Sequence, residues 1–327
     1  MNILIIGGGP AGASAARFLA PYHNVTLIQD REEYEKPCGG GVKTKIFEKF
    51  NIPENSIKHR INHVLVKYKN KNIKLSLKSD ALSIVNRKEF DKTLRKLASD
   101  AGAKIYYGRF KKLKNNTAVI KSETETKYFP YDALIAADGI NSTVRKALKL
   151  PPIPSTVTHY AKTSSYTVKT CEFCFDFDTG GDYYAWAFPC ADLTHTGTVK
   201  RENFENLCSY LNIKEKPKGY KIPLWRKNII IQKENVYFVG DAAGQTIPLS
   251  FEGIYYAVHS AKILADSILY NKNYKQEWNK KFFKKFIFMK TIQTLNKTKL
   301  RRFIMFLHRF KPIQNFAVNL WLGNYHV

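Results

Sequence analysis

Residues 2–19 read NILIIGGGPAGASAARFL, and no other stretch constrains the fold of the chain so tightly. NILII is a short, almost wholly apolar run of the kind that suits a strand buried on both faces. Gly7, Gly9 and Gly12 follow in a G-x-G-x-x-G spacing, after which small residues continue as a helix. Between strand and helix, that spacing has a physical reading. The first glycine makes the tight turn, the second lets backbone approach a pyrophosphate, and the third lets helix and strand pack closely. The helix N-terminus then faces the phosphates. NVTLIQD supplies the next strand. Asp30, eighteen residues after Gly12 and next to Arg31, stands at the distance of the acid that takes ribose hydroxyls, while alignment on Val25 offers Gln29 instead.

A chain of 327 residues, 44% hydrophobic and 13% aromatic, can bury a large core, which excludes a disordered class. Its five cysteines, Cys38, Cys171, Cys174, Cys190 and Cys208, are odd in number, so a reduced cytoplasmic thiol set is expected rather than a disulfide framework. The opening residues lack a basic n-region and their apolar run stops at glycines, so they read as structure rather than as a signal peptide. No stretch approaches the roughly 18 apolar residues of a spanning helix.

The net charge is +26. From Asn271 to Lys311, thirteen Lys or Arg stand against one acid, Glu277, which concentrates nearly half the excess in 41 residues. Phe282, Phe283, Phe286, Ile287, Phe288, Leu300, Phe303, Ile304, Phe306 and Leu307 are interleaved at helical spacings. Basic amphipathic helices of this kind suit an anionic membrane surface or an acidic partner. The plain alternative is a packed helix pair in a lysine-rich chain. Nucleic acid is the less favoured partner, and a monomer is expected.

Along the chain, His59 to Ile84 reads as an antiparallel hairpin turning around Asn70–Asn72, and NRKEFDKTLRKLASDAGA reads as a helix. AKIYYG, TAVIKS and YDALIAADG read as strands, as do TSSYTVK, CEFCFDFD, YYAWAFP, THTGTVK and NIIIQ. EGIYYAVHSAKILADSILY reads as a long helix.

Two further strand ends carry acidic turns, Asp138-Gly139 and Gly240-Asp241, where an aspartate is well placed for a ribityl hydroxyl. In this order the three turns resemble the FAD-binding domain of the glutathione-reductase superfamily, in its hydroxylase-like branch. Arg87 and Asp91 in RKEFDKTL match the R-x-x-F-D-x-x-L helix of that branch, where the arginine reaches the flavin nucleotide. KPCGGGV and YYAWAFP further resemble the P-C-G-G-G and Y-x-W-x-F-P segments of geranylgeranyl reductases, which saturate isoprenoid double bonds with reduced FAD. The resemblance spans about residues 1–270.

It implies an α/β fold: a Rossmann-like FAD-binding domain with an inserted antiparallel β-sheet substrate domain and C-terminal helices. The expected division is 1–58, 85–150 and 232–272 for the FAD-binding domain, 59–84 and 151–231 for the substrate domain, and 273–327 for basic amphipathic helices. It also implies that Cys38 lies at the flavin face, that Gly39, Gly40 and Gly41 let backbone lie against the isoalloxazine, and that Tyr184, Trp186 and Phe188 line the substrate cavity. Pro248, Gly253 and Ile254 match the motif P-x-x-G-E-G-I and count as further cofactor contacts, although Phe251 stands where that motif has glycine. Cys190 likewise replaces a common lysine. Cys38 has two roles open to it, proton donor to the alkene or simply its positioner.

The implied reaction is FAD-dependent reduction of polyprenyl C=C bonds on a lipid or quinone. A cytoplasmic protein is expected, with the basic C-terminal helices as its means of contact with the inner face of the membrane. The rival is a flavin monooxygenase acting on a smaller aromatic or polar molecule. With no second G-x-G-x-x-G domain, NAD(P)H or a ferredoxin would supply electrons. Cys171-x-x-Cys174 lies in a strand-like run, where residues three apart face opposite sides, so no metal site is expected.

Overall fold

Asn2–Ile6 forms a strand between two parallel neighbours, Asn24–Gln29 and Ala133–Ala136. The structure, a computed structural model, describes residues 1–77 and 81–322. Residues 78–80 of the expected 59–84 segment and residues 323–327 of the expected 273–327 segment lie outside them. Lys104–Tyr107 extends this sheet on one side, and Val236–Phe238 followed by the antiparallel Gln232–Lys233 extends it on the other. Ile3, Leu4 and Ile5 are all but inaccessible, as a doubly covered sheet requires, and each such side chain stabilises the fold by about 1.5–3 kcal/mol. The helices Pro10–Leu19 and Ile254–Leu269 pack against each other, and both bury small side chains, Ala13 and Ala16 on one and Ala257 and Ala261 on the other.

The chain divides into two compact units, residues 1–36, 88–155 and 223–287, and residues 37–87, 156–222 and 288–327. The first holds the parallel sheet. The second holds a seven-stranded sheet in the order Lys218–Pro223, Ser155–Thr163, Leu193–Val199, Ala185–Cys190, Cys171–Cys174, His63–Tyr68, Lys71–Ser76. From Ser155–Thr163 to Cys171–Cys174 its pairs are antiparallel, and Cys171–Cys174 then runs parallel to His63–Tyr68, so the sheet is mixed rather than purely antiparallel.

These boundaries differ from those read in the sequence. Residues 37–58 join the second unit because Gly41–Lys43 and Ile57–Ile61 both pair with Leu82–Val85. The C-terminal helices are not a separate part: Tyr274–Leu295 begins in the first unit, where Phe282 and Phe286 pack edge-on against Tyr256.

Two expected strands also change. NIIIQ contributes only Gln232, because the carbonyl of Ile230 is taken by the buried Arg145 guanidinium at 2.8 Å instead of a ladder partner. TSSYTVK ends as a strand at Thr163, whose hydroxyl accepts the amide of Ser165 and turns the chain. The hairpin turn falls at Lys69–Asn70, one residue before its expected place, with Lys69 left-handed at φ 51°.

Candidate cofactor and substrate sites

In the first unit, parallel pairing brings three turns to the carboxyl edge of one sheet, the usual ligand-binding edge of an open α/β sheet. Gly7, at φ 104°, lies so close to the next turn that a Cβ would stand 2.4 Å from the carbonyl oxygen of Ala137. A Cβ on Gly12 would stand 1.9 Å from the oxygen of Gly7, so only glycine lets the helix start there. Gly240 opens the third turn against Ala11.

The second strand ends at Gln29, not Asp30. Gln29 is buried, and its Oε1 accepts the Gly8 amide at 2.7 Å while its Nε2 donates to the carbonyl of Arg31. Arg95, also buried, braces the same turn by donating to the carbonyls of Gly8 and Glu32 at 3.2 and 2.9 Å. Asp30 instead meets Arg109 through two hydrogen bonds of 2.9 and 3.0 Å at an exposed position, and that guanidinium holds its carboxyl below the usual carboxylate range. Arg31 lies over the ring of Tyr34.

Asp138 caps the helix Thr143–Ala147: its Oδ2 accepts from the Thr143 amide and hydroxyl at 2.7 and 2.9 Å and from the Val144 amide at 3.1 Å. Its Oδ1 is buried and has no hydrogen-bond partner among the described residues, and burial raises the pKa of the carboxyl. Asp241 pairs with Lys36 and accepts the Thr246 hydroxyl at 3.2 Å. Pro248 is buried, and Gly253 precedes the helix that begins at Ile254, close beside the Asp241 carboxylate. Phe251, where glycine was expected, takes a left-handed φ of 54°. Arg87 opens the helix Arg87–Asp100, and both it and Asp91 are buried.

These residues fit a dinucleotide. A Cβ at Gly9 or Gly139 would meet nothing within 4 Å, so open space lies at both turns, and Asp138 offers it a buried acceptor for a hydroxyl. The sequence reading missed Arg95 and Lys36. Lys36 and Asp241 are 205 residues apart, and no local signal joins them.

The second unit gathers the residues with the aromatic character. Along Ala185–Cys190, Trp186, Phe188 and Cys190 share the less buried face. The loop before Gly41 lies against them: a Cβ on Gly39 would stand 2.7 Å from the Phe188 ring and 3.7 Å from Trp186 Nε1, which is buried with no partner among the described residues. Gly40, at φ 76°, passes the Val85 carbonyl, so the glycine run has a reason inside the protein itself. The Gly40 amide donates to the half-buried Cys38 sulfur at 3.4 Å. Tyr184 packs edge-on to Phe173 at 5.4 Å and Trp186 at 6.4 Å, and Phe173 meets Phe188 at 5.2 Å. Gly197, directly across from Trp186 in the sheet, also escaped the sequence reading; a Cβ there would enter the indole at 2.5 Å.

Cys171 is in the core and burial pushes its thiol up. Among the described residues no group of three His, Cys, Asp or Glu could hold a metal, and no helix is long and apolar enough to cross a membrane.

Comparison with known proteins matches residues 1–174 to the FAD binding domain family. An uncharacterised protein of Methanosarcina barkeri is 31% identical over 82% of this chain and 74% of its own length. A geranylgeranyl diphosphate reductase of Rhodobacter capsulatus is 26% identical over 82% and 75%. In structure, the chain is similar to a geranylgeranyl bacteriochlorophyll reductase-like protein of Thermoplasma acidophilum, with a TM-score of 0.78, 21% identity, and coverage of 91% of this chain and 87% of that one.

Proposed function

We propose that this chain, which belongs to the geranylgeranyl reductase family of FAD-dependent oxidoreductases, reduces C=C bonds of a polyprenyl chain carried on a lipid or quinone. One observation carries the reading: the Cys38–Gly41 loop lies against a face of Trp186 and Phe188, with Tyr184 and Phe173 packed around them, apolar surface that suits an isoprenoid better than a polar molecule. FAD, when bound, supplies the hydride from N5, with electrons drawn from NAD(P)H or a ferredoxin.

The chain's own residues supply the rest. Backbone at Gly7, Gly9, Gly12, Gly139 and Gly240 leaves room for the dinucleotide, with Asp138, Asp241, Pro248, Gly253 and Ile254 around the nucleotide and ribityl chain. Asp30 and Arg31 give way to Gln29 as the polar side chain at the glycine turn, since Asp30 is engaged by Arg109. Aromatic walls exclude water from the alkene. Saturating an unactivated double bond needs a proton at the carbon opposite the hydride. A thiol is a weak acid able to give such a proton. We assign Cys38 as that donor, with its sulfur oriented by the Gly40 amide and its proton restored from solvent.

The test is anaerobic. The reduced flavoprotein, mixed with geranylgeranyl diphosphate or a polyprenyl quinone, is expected to reoxidise its flavin and yield product heavier by two hydrogens per double bond. Cys38→Ser is expected to keep bound flavin and lower turnover by about 10²-fold. Unchanged turnover would make Cys38 only a positioner of the alkene. A second reading, monooxygenation of a smaller molecule, is kept by Phe251, whose ring stands where the family motif has glycine. Oxygen uptake with a hydroxylated product, and no alkene saturation, would establish it instead.

A further inference from the structure

Leu300 to Leu322 folds as two short helices, Arg301–Leu307 and Lys311–Leu322. Each has an inward side. Met305, Val318 and Leu322 are buried in one cluster with Val64, Val66 and Cys171 of the seven-stranded sheet, and Phe173 and Phe188 pack against that cluster. The other side is unusual for a protein surface in water. Leu300, Phe303, Phe306 and Phe310 are 51%, 58%, 48% and 51% exposed, and Phe316 is 47% exposed. Water-facing surfaces scatter large apolar side chains singly, whereas here four fall within eleven residues.

The same stretch is basic. Lys299, Arg302, Arg309 and Lys311 are all exposed between the aromatic residues, and no Asp or Glu follows Glu277 while eleven Lys and Arg do. Exposed phenylalanine beside exposed cations meets two needs of one surface. Rings enter the boundary between headgroups and acyl chains, and Lys and Arg heads reach the phosphates. Single-stranded nucleic acid also takes aromatic and basic side chains, but it needs free ring faces for stacking. Here Phe306 and Phe310 pack edge-to-face at 5.7 Å, the Arg309 guanidinium lies 5.7 Å over Phe306, and Leu300 offers no stacking face.

We infer that Leu300–Phe316 is a docking surface for an anionic lipid bilayer, with Phe303, Phe306 and Phe310 entering the interface and Arg302, Arg309 and Lys311 on its phosphates. The inference rests on the lipid-substrate reading for its purpose but not for its test. Helices whose inward side closes over the aromatic sheet would present their outward side to the phase in which a polyprenyl chain is dissolved.

The test uses the full-length flavoprotein and vesicles of phosphatidylcholine alone or mixed with phosphatidylglycerol. Cosedimentation is expected with the anionic vesicles, weakening as salt rises, and only slightly with the neutral ones. Phe303→Ser/Phe306→Ser/Phe310→Ser is expected to lower partitioning by at least about tenfold. Arg302→Glu/Arg309→Glu should lower it on anionic vesicles alone. Both variants lie on the exposed side, so unchanged flavin content and melting temperature will show that they fold. Absence of cosedimentation at low salt, binding undiminished in the phenylalanine variant, or binding to RNA but not to vesicles would each overturn the docking surface. Vesicle binding without prenyl reduction would overturn the proposed reaction and leave the docking surface standing.

Discussion

The two units build their sites by different means. In the first, the site is mostly backbone: three turns at one sheet edge, with Gly7, Gly12 and Gly240 where a Cβ would clash and with Gln29 and Arg95 hydrogen-bonded to the amide and carbonyl of Gly8. In the second, it is mostly side chain: rings of Phe173, Tyr184, Trp186 and Phe188 touch one another, and the glycines make room for them. A backbone site fixes a cofactor, and a side-chain site can be recut for a new substrate by changing rings. The contrast predicts that lesions at the glycine turns abolish flavin binding, whereas lesions in the aromatic face spare it and change what is turned over.

The harshest way to break that contrast is Gly12→Val. A side chain placed 1.9 Å from a carbonyl oxygen forces the first helix away from its strand, at a cost of about 3 kcal/mol, and the purified protein is expected to be colourless. Flavin absorbance per chain and a thermal melt measure it; a yellow, stable variant would show that the turn is not where the dinucleotide sits.

Gly197→Val sharpens the comparison from the other side. Overpacking against Trp186 and the His159 carbonyl should cost about 1–3 kcal/mol and lower prenyl turnover while the flavin stays bound. Loss of flavin in this variant would mean that the two functions are not separable. The smallest effect belongs to Arg109→Ala. Asp30's carboxyl is held down in the folded protein, so its contribution is present above the unfolded carboxylate pKa of about 3.9 and is lost as pH falls through the folded value. The variant should melt slightly below the parent at pH 7 and together with it in strong acid. It should bind flavin normally, since Asp30 faces Arg109 rather than the glycine turn. Weakened flavin binding would restore Asp30 to the cofactor.

What the sequence showed follows the same division. The glycine turn, Asp138-Gly139 and Gly240-Asp241 were legible because each is a local backbone requirement written in adjacent residues. The assembled aromatic face was legible only through a resemblance, because its members lie on strands brought together by register. Gly197 means nothing until Trp186 is known to lie opposite. The Lys36–Asp241 pair depends on two segments 205 residues apart. NIIIQ misled because β-branched residues suit any extended backbone, and what decided its fate was a buried arginine eighty-five residues earlier claiming a carbonyl. The helix Arg201–Leu211 was overlooked for a similar reason: only Phe204 and Leu207 mark its buried side, too few for a clear period.

The opposition of Gly197 and Trp186 carries a consequence for how such a chain can change. Because the two positions face each other across one rung of a ladder, with no room for even a methyl group between them, they form a single volume shared by two codons. A larger residue at 197 needs both a smaller one at 186 and a shift of the His159 carbonyl, which would stand 2.6 Å from the same Cβ, so substitutions at the pair should arrive together or in a fixed order, ring reduced before glycine is replaced. Any drift at this rung of the sheet therefore passes through an intermediate that is emptier than either end point, and a directed-evolution library that varies both positions at once would cross that step where single changes stall.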